Sequence, residues 1–264
     1  MRKVLLFLLI GVSFSLGAQT GAQRKCGNEF AAYGLKGVSF SDALDVAGKT
    51  HNDYQESLLT QLSAEKISLK DTSSLKTVIQ NKTISFLGQK GILVNRQSFS
   101  ISFVAANNSF SIQGKSYSAE ATRILTELQS LIKSYDMINS ETLINSLIKL
   151  KQAALNLADE KEVFAIGIPV VVAINSYNYW RSNADKWYSI FAGQTDPESQ
   201  SKRKPCHVGL GQLGAADVGG AIGGGYGGTV LGPGGAFAGA VLGSATSSLG
   251  NLAGQVMGCL FSWW

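Results

Sequence analysis

The hydrophobic and polar positions of this chain follow a helical period over most of its length. Residues 41–64 read as one helix: Ser41 offers an N-cap, and Leu44, the run from Glu56 to Leu62 and Ala64 keep the register. A short helix is expected around 75–80. At 98–112 the period drops to two. Ser98-Phe-Ser-Ile-Ser-Phe-Val104 alternates strictly, Ala-Ala-Asn-Asn follows, and Ser109-Phe-Ser-Ile112 alternates again. That pattern fits a small β-hairpin, with an all-helical reading as the alternative. Helical spacing returns at Ser118, where Ile124, Leu125, Leu128, Leu131 and Ile132 form a stripe over 119–135. Ser140 is placed as the cap of a second helix carrying Leu143, Ile144, Leu147, Ile148, Leu150, Leu155 and Leu157. The short connection between these two predicts neighbouring antiparallel helices.

Next comes an apolar run, 163–174, that contains Pro169. It predicts a buried helix kinked at the proline. A strand is the alternative, because Val and Ile dominate. Tyr177, Tyr179, Trp180, Trp187 and Tyr188 crowd the following segment. Such a cluster suits sugar binding or a membrane interface, but aromatic core packing is the simpler expectation. Residues 193–205 are polar, with two prolines and the basic run Lys202-Arg203-Lys204, and read as a linker.

The last stretch departs from ordinary composition. From Gly209 to Trp264 the chain holds 18 of its 30 glycines, but only one charged residue, Asp217, and one proline, Pro233. The glycines recur at helical spacing. Gly219, Gly223 and Gly227 form one row, with Gly220, Gly224 and Gly228 beside it; beyond the turn Gly232-Pro233-Gly234, a matching row runs Gly235, Gly239, Gly243. Smooth faces of this kind let two helices approach backbone to backbone. Pairing Gly219 with Ser247, Gly223 with Gly243 and Gly227 with Gly239 makes facing positions sum to 466 and brings Cys206 near Cys259. A Cys206–Cys259 disulfide closing the base of the hairpin is therefore expected, with Cys26 left over and the pairings Cys26–Cys206 and Cys26–Cys259 as alternatives. Nine glycines fall in 211–231, and at about 0.8–1 kcal/mol each they burden that helix with roughly 8 kcal/mol relative to alanine. Such a helix needs a partner surface, an oligomer or a bilayer. The arms 211–231 and 236–258 are 21 and 23 residues long, or roughly 32 and 35 Å at the helical rise, enough for a bilayer core.

The N-terminus reads as a secretory signal: Arg2 and Lys3 precede an apolar run over 4–12, followed by small residues up to Ala22. The expected organisation is a signal peptide over 1–22, a mainly helical exported domain over 23–192, a linker over 193–205 and a glycine-zipper hairpin over 206–264. The destination is secretion or the cell envelope. The fold class is mainly α, with the small β-hairpin and the C-terminal antiparallel helical hairpin as its special features. Formal charge falls from +5 to +3 once Arg2 and Lys3 leave (5 − 2), a balance too mild to suggest nucleic acid.

Chemistry-bearing motifs are sparse. His51 offers a ligand or a base, but a histidine in an apolar helix more simply packs on the core with a hydrogen bond. Cys26, Cys206, His207 and Cys259 lack Cys-x-x-Cys spacing, so no metal site is expected. There is no nucleophile elbow, and Gly114-Lys115-Ser116 lacks the upstream glycine of a phosphate loop. No enzyme and no cofactor is expected.

The run from Ala216 through Gly232-Pro-Gly-Gly-Ala-Phe-Ala-Gly-Ala-Val241 resembles the glycine-rich helical segments of unmodified bacteriocins and related glycine-zipper proteins. The resemblance covers about a fifth of the chain. It departs from the family pattern, in which such peptides are short and carry a double-glycine leader, whereas here an exported domain precedes the tail. It implies membrane lipid as a partner, with hairpin insertion or assembly of several hairpins into a homo-oligomer. Trp263 and Trp264 would then sit at the interface beside Lys202–Lys204.

Overall fold

The computed structural model describes residues 23–64, 72–92, 115–193 and 209–261. The expected signal peptide, the alternating stretch 98–112, residues 194–205 of the expected linker, Cys206, the Cys259 side chain, Trp263 and Trp264 lie outside the residues and side chains described. Among the described residues the fold is all helical: α1 Phe40–Ala64, α2 Thr72–Gln89, α3 Ala119–Lys133, α4 Ser140–Leu155, α5 Glu160–Gly193, α6 Leu210–Gly228 and α7 Gly232–Phe261. A 3-10 turn at Asn28–Tyr33 precedes α1, and another at Thr229–Leu231 joins α6 to α7.

α1, α3 and α4 start where a side chain satisfies free N–H groups of the first turn. The α1 cap is Ser39, not Ser41: its hydroxyl accepts from the Asp42 N–H (3.1 Å) and donates to the Asp42 carboxylate (2.7 Å). For α4 the cap is Asn139, one residue before the expected Ser140, and its side chain accepts from the N–H groups of Glu141 and Thr142. Ser118 caps α3 and also donates from its N–H and hydroxyl to Glu162 (2.5 and 2.6 Å), tying α3 to the first turn of α5. The short helix expected at 75–80 is part of α2, which continues to Gln89 and buries Ile79, Thr83 and Leu87.

α5 is the axis of the molecule. Residues 163–173 are buried without interruption, so neighbours surround this part of the helix. The apolar run and the aromatic segment belong to one helix that continues through Pro169 to Gly193. α1, α3, α4, α6 and α7 all pack against α5, and α6 and α7 pack most extensively against each other. Gly167 admits Leu44 of α1, whose Cδ1 would lie 2.7 Å from an added Cβ. Trp180 and Trp187 are 1% and 0% exposed, and Tyr177 and Tyr179 are buried. The aromatic cluster is therefore core packing. Trp187 Nε1 donates to the Tyr179 phenol at 2.9 Å.

Candidate functional site

The glycine hairpin is present, and its contact row is specific. A Cβ placed on Gly220, Gly224 or Gly228 would land on the carbonyl oxygen of Gly243, Gly239 or Gly235 in turn, and the reverse holds from α7. Only hydrogen fits at these six positions. Facing residues sum to 463, three less than the pairing expected from sequence, so Gly219, Gly223 and Gly227 are not the row that meets α7. An added Cβ at Gly223 or Gly227 meets nothing within 4 Å, and both residues are exposed. The physical reason is a third helix. Val218, Ala221 and Ile222 are 0% exposed in the main core cluster, which includes much of α5, and Gly225 lies against Ala165. Burying that face turns α6 about its axis, so 220/224/228 meets α7 and 223/227 points outward.

At the turn, Gly232 takes a φ of +86° that a side chain would strain. Pro233 and Gly234 fall in the first turn of α7, where a missing N–H costs nothing. Gly234 approaches the Glu29 carbonyl, 2.5 Å from where its Cβ would be. At the other end Gln255 Oε1 accepts the Gly209 N–H at 3.1 Å, tying the start of α6 to α7.

Asp217, the one charge of the hairpin, is 0% exposed. Its Oδ2 accepts from Trp180 Nε1 at 2.8 Å and from the Ser176 hydroxyl, both on α5. Its Oδ1 lies 3.3 Å from His51 Nε2 on α1. Gln55, one turn after His51, sets its amide nitrogen 3.0 Å from His51 Nε2 and donates to Ser248 Oγ of α7 at 3.0 Å. His51 Nδ1 faces Asn52 Oδ1 at 3.2 Å. Four helices thus meet in one buried polar cluster. Two buried acceptors, Asp217 Oδ1 and Gln55 Oε1, have no hydrogen-bond partner, and Asp217 Oδ1 has only the imidazole at 3.3 Å to face. The surroundings respond to the carboxylate: burial first, then the Asp217 charge, holds the Tyr135 phenol well above its ordinary value, while its hydroxyl donates to the Ala173 carbonyl at 2.9 Å.

The cluster joins helices α1, α5, α6 and α7. His51, Gln55, Ser176, Asp217 and Ser248 have no exposed surface, so no solute reaches the imidazole. Among the described residues no three histidine, cysteine or carboxylate side chains converge as a metal site. A polar recess of about 290 Å³ between α1 and α2, lined by residues including Gln61, Asn81, Lys82 and Phe86, holds no carboxylate, imidazole or thiol. Cys26 is a buried free thiol, and burial pushes it up to about 12.

Sequence reasoning named His51 and noted Asp217 as the isolated charge. It missed Gln55, Ser176 and Ser248. The available signal was their position: His51 and Gln55 sit one turn apart on the apolar stripe Leu44, Ala47, Tyr54, Leu58, where polar side chains need partners.

No family model, curated protein or solved structure matches the chain.

Proposed function

We propose that the chain is an exported, non-enzymatic protein that stores a bacteriocin-like, membrane-active hairpin inside its own helical bundle and acts on bilayers when that hairpin leaves. The observation that carries this reading is the arrangement of α6 and α7. Two bilayer-length arms with a single charge are packed in the core, and that charge is held by α1 and α5 rather than left to solvent. The tip is different. Val230 and Leu231 are 86% and 80% exposed, and they supply an apolar first contact with lipid. Gly223 and Gly227, open on the outer side, supply the small face through which released hairpins would assemble.

A second reading has its own support: the hairpin never leaves, and the chain is an envelope or binding protein with a glycine-rich core. Among the described residues the one helix long and apolar enough to cross a membrane lies in α5, over Glu160–Ile190, and most of it is buried. The glycines dilute the apolar content of α6 and α7.

A crosslink separates the readings. A Cβ at position 225 would lie 3.4 Å from the Ala165 Cα, within reach of a disulfide. The stored-hairpin reading expects Ala165→Cys/Gly225→Cys protein to leave dye-loaded phospholipid vesicles intact when oxidised and to release dye once reduced, with unaltered protein leaking under both conditions. No leakage from any form abandons this reading for the second.

A further inference from the structure

We infer that the polar cluster around Asp217 is an autoinhibitory clasp: His51 and Gln55 of α1, with Ser176 and Trp180 of α5, hold α6 and α7 in the bundle, and opening these contacts is the step that frees the hairpin. The inference rests on the proposed function, since it names what controls the release.

The argument sorts the contacts of the hairpin by what replaces them after it leaves. The glycine-row contacts between α6 and α7, and the Gln255–Gly209 bond, lie within the hairpin and travel with it. The apolar contacts with the rest of the molecule include Val218, Ala221 and Ile222 in the core shared with α5, Phe237 against Phe30, Phe164 and Tyr33, and Leu249, Leu252 and Val256 in the cluster with Tyr54 and Trp180. Lipid tails substitute for these, because apolar burial is non-directional. Hydrogen bonds and charge pairs have no substitute in lipid. Among the described residues, two in the body of the hairpin carry such links to α1 and α5. Asp217 takes Ser176, Trp180 and His51, and Ser248 takes Gln55. At the periphery, the Tyr226 hydroxyl accepts the Ser116 N–H at 3.3 Å, at an exposed site where water replaces it. Departure therefore strands a carboxylate on α6 and takes Asp217 from His51 and Ser248 from Gln55, whose contacts with each other stay on α1. That asymmetry makes the clasp the barrier to release.

Amide hydrogen exchange of the full chain, without lipid, tests the clasp directly. The variants are Asp217→Asn, which keeps the side-chain size but removes the charge facing His51, and Gln55→Leu, which cuts the link from α1 to α7. Over 210–256, Asp217→Asn should speed exchange by about tenfold or more, the scale of a lost hydrogen bond to a charged group, and Gln55→Leu by about two- to tenfold, the scale of a neutral one, while 119–155 exchanges as in the unaltered chain. Ser176→Ala provides the same comparison if Asp217→Asn does not fold. Uniform acceleration along the chain, or none, overturns the clasp. Vesicles of mixed zwitterionic and anionic phospholipid then separate the two proposals. Selective exchange without faster dye release keeps the clasp and overturns the membrane function. Dye release at one common rate, without selective exchange, keeps the function and overturns the clasp.

Discussion

His51 and Asp217 face each other with no exposed surface on either side chain. In such a place the cost of removing a partner exceeds the worth of the pair, because the survivor stays buried and uncompensated. His51→Ala should therefore destabilise the chain by about 1–3 kcal/mol, the cost of a buried polar group left without its partner. Ser248→Ala, which takes one neutral partner from Gln55 while leaving its contact with His51, should cost about 0.5–1.5 kcal/mol. Urea unfolding at constant slope measures both. A double-mutant cycle of His51→Ala with Asp217→Ala should show coupling above about 1 kcal/mol, as residues in one network do. Equal costs for His51→Ala and Ser248→Ala, or additive effects in the cycle, would remove the pair from the centre of the cluster. The bland expectation for His51, a core histidine with a hydrogen bond, describes its burial correctly. It does not reveal the partner, because residue 217 lies far along the sequence and only the packing of α6 on α5 brings it near.

At the scale of elements, the glycine rows give an experiment with opposite signs. Gly224→Ala gains about 1 kcal/mol of helix propensity, but its methyl group falls on the Gly239 carbonyl. Backbone cannot move aside as a side chain does, so a net loss of about 1–3 kcal/mol is expected. Gly223→Ala and Gly227→Ala add a methyl group to open space and should each stabilise by about 0.5–1 kcal/mol. Thermal midpoints of the three proteins decide the register: the 466 pairing demands loss at Gly223 and Gly227, the 463 pairing demands gain. Much of this element was legible in the sequence. Four-residue glycine spacing predicted two close helices, and Gly232-Pro233-Gly234 marked the turn to within a residue or two. The register was not legible, because it was derived for two helices alone and α5 takes the third face. The same distinction runs through the fold. α1, α3 and α4 have strong apolar stripes and were read with small errors at their caps. The short helix expected at 75–80 stops before the end of α2 because its buried positions Ile79, Thr83 and Leu87 are interleaved with Gln80, Asn81, Lys82 and Ser85, and one of them is itself polar. α5 was divided at its aromatic segment because the period of a helix buried on all sides carries no contrast between faces.

The whole molecule excludes water from groups that ionise in alkali, and all of them push stability in one direction. Cys26 is 3% exposed, and burial, with Glu29 adding to it, raises its thiol to about 12. Burial likewise raises the phenols of Tyr54, Tyr135 and Tyr179. Tyr54 donates to the Thr83 hydroxyl, which passes its own proton to the Ile79 carbonyl, so an anion there would break a buried chain of hydrogen bonds. The sign follows from proton counting. Above the pKa of an unfolded cysteine, about 8.5, the unfolded chain gives up the thiol proton while the folded chain retains it. Stability from this group is thus fully present below about pH 8.5 and is lost as pH rises towards 12, at up to about 1.4 kcal/mol per pH unit. The phenols join above about pH 10 with the same sign. Two alkaline phases are therefore expected in unfolding free energy measured by urea at successive pH values. Cys26→Ala should flatten the interval between about pH 9 and 10 and leave the steeper fall above it. The contacts binding α1, α5 and the hairpin into one core surround these same phenols, with Tyr135 against Gly214 of α6 and Tyr54 in the cluster that includes Leu249 and Val256 of α7. Alkaline loss of the hairpin helices should accordingly coincide with loss of the rest of the bundle. A chain whose α3 and α4 kept their helical structure after the phenols had ionised would show instead that the buried phenols do not join these elements to the hairpin.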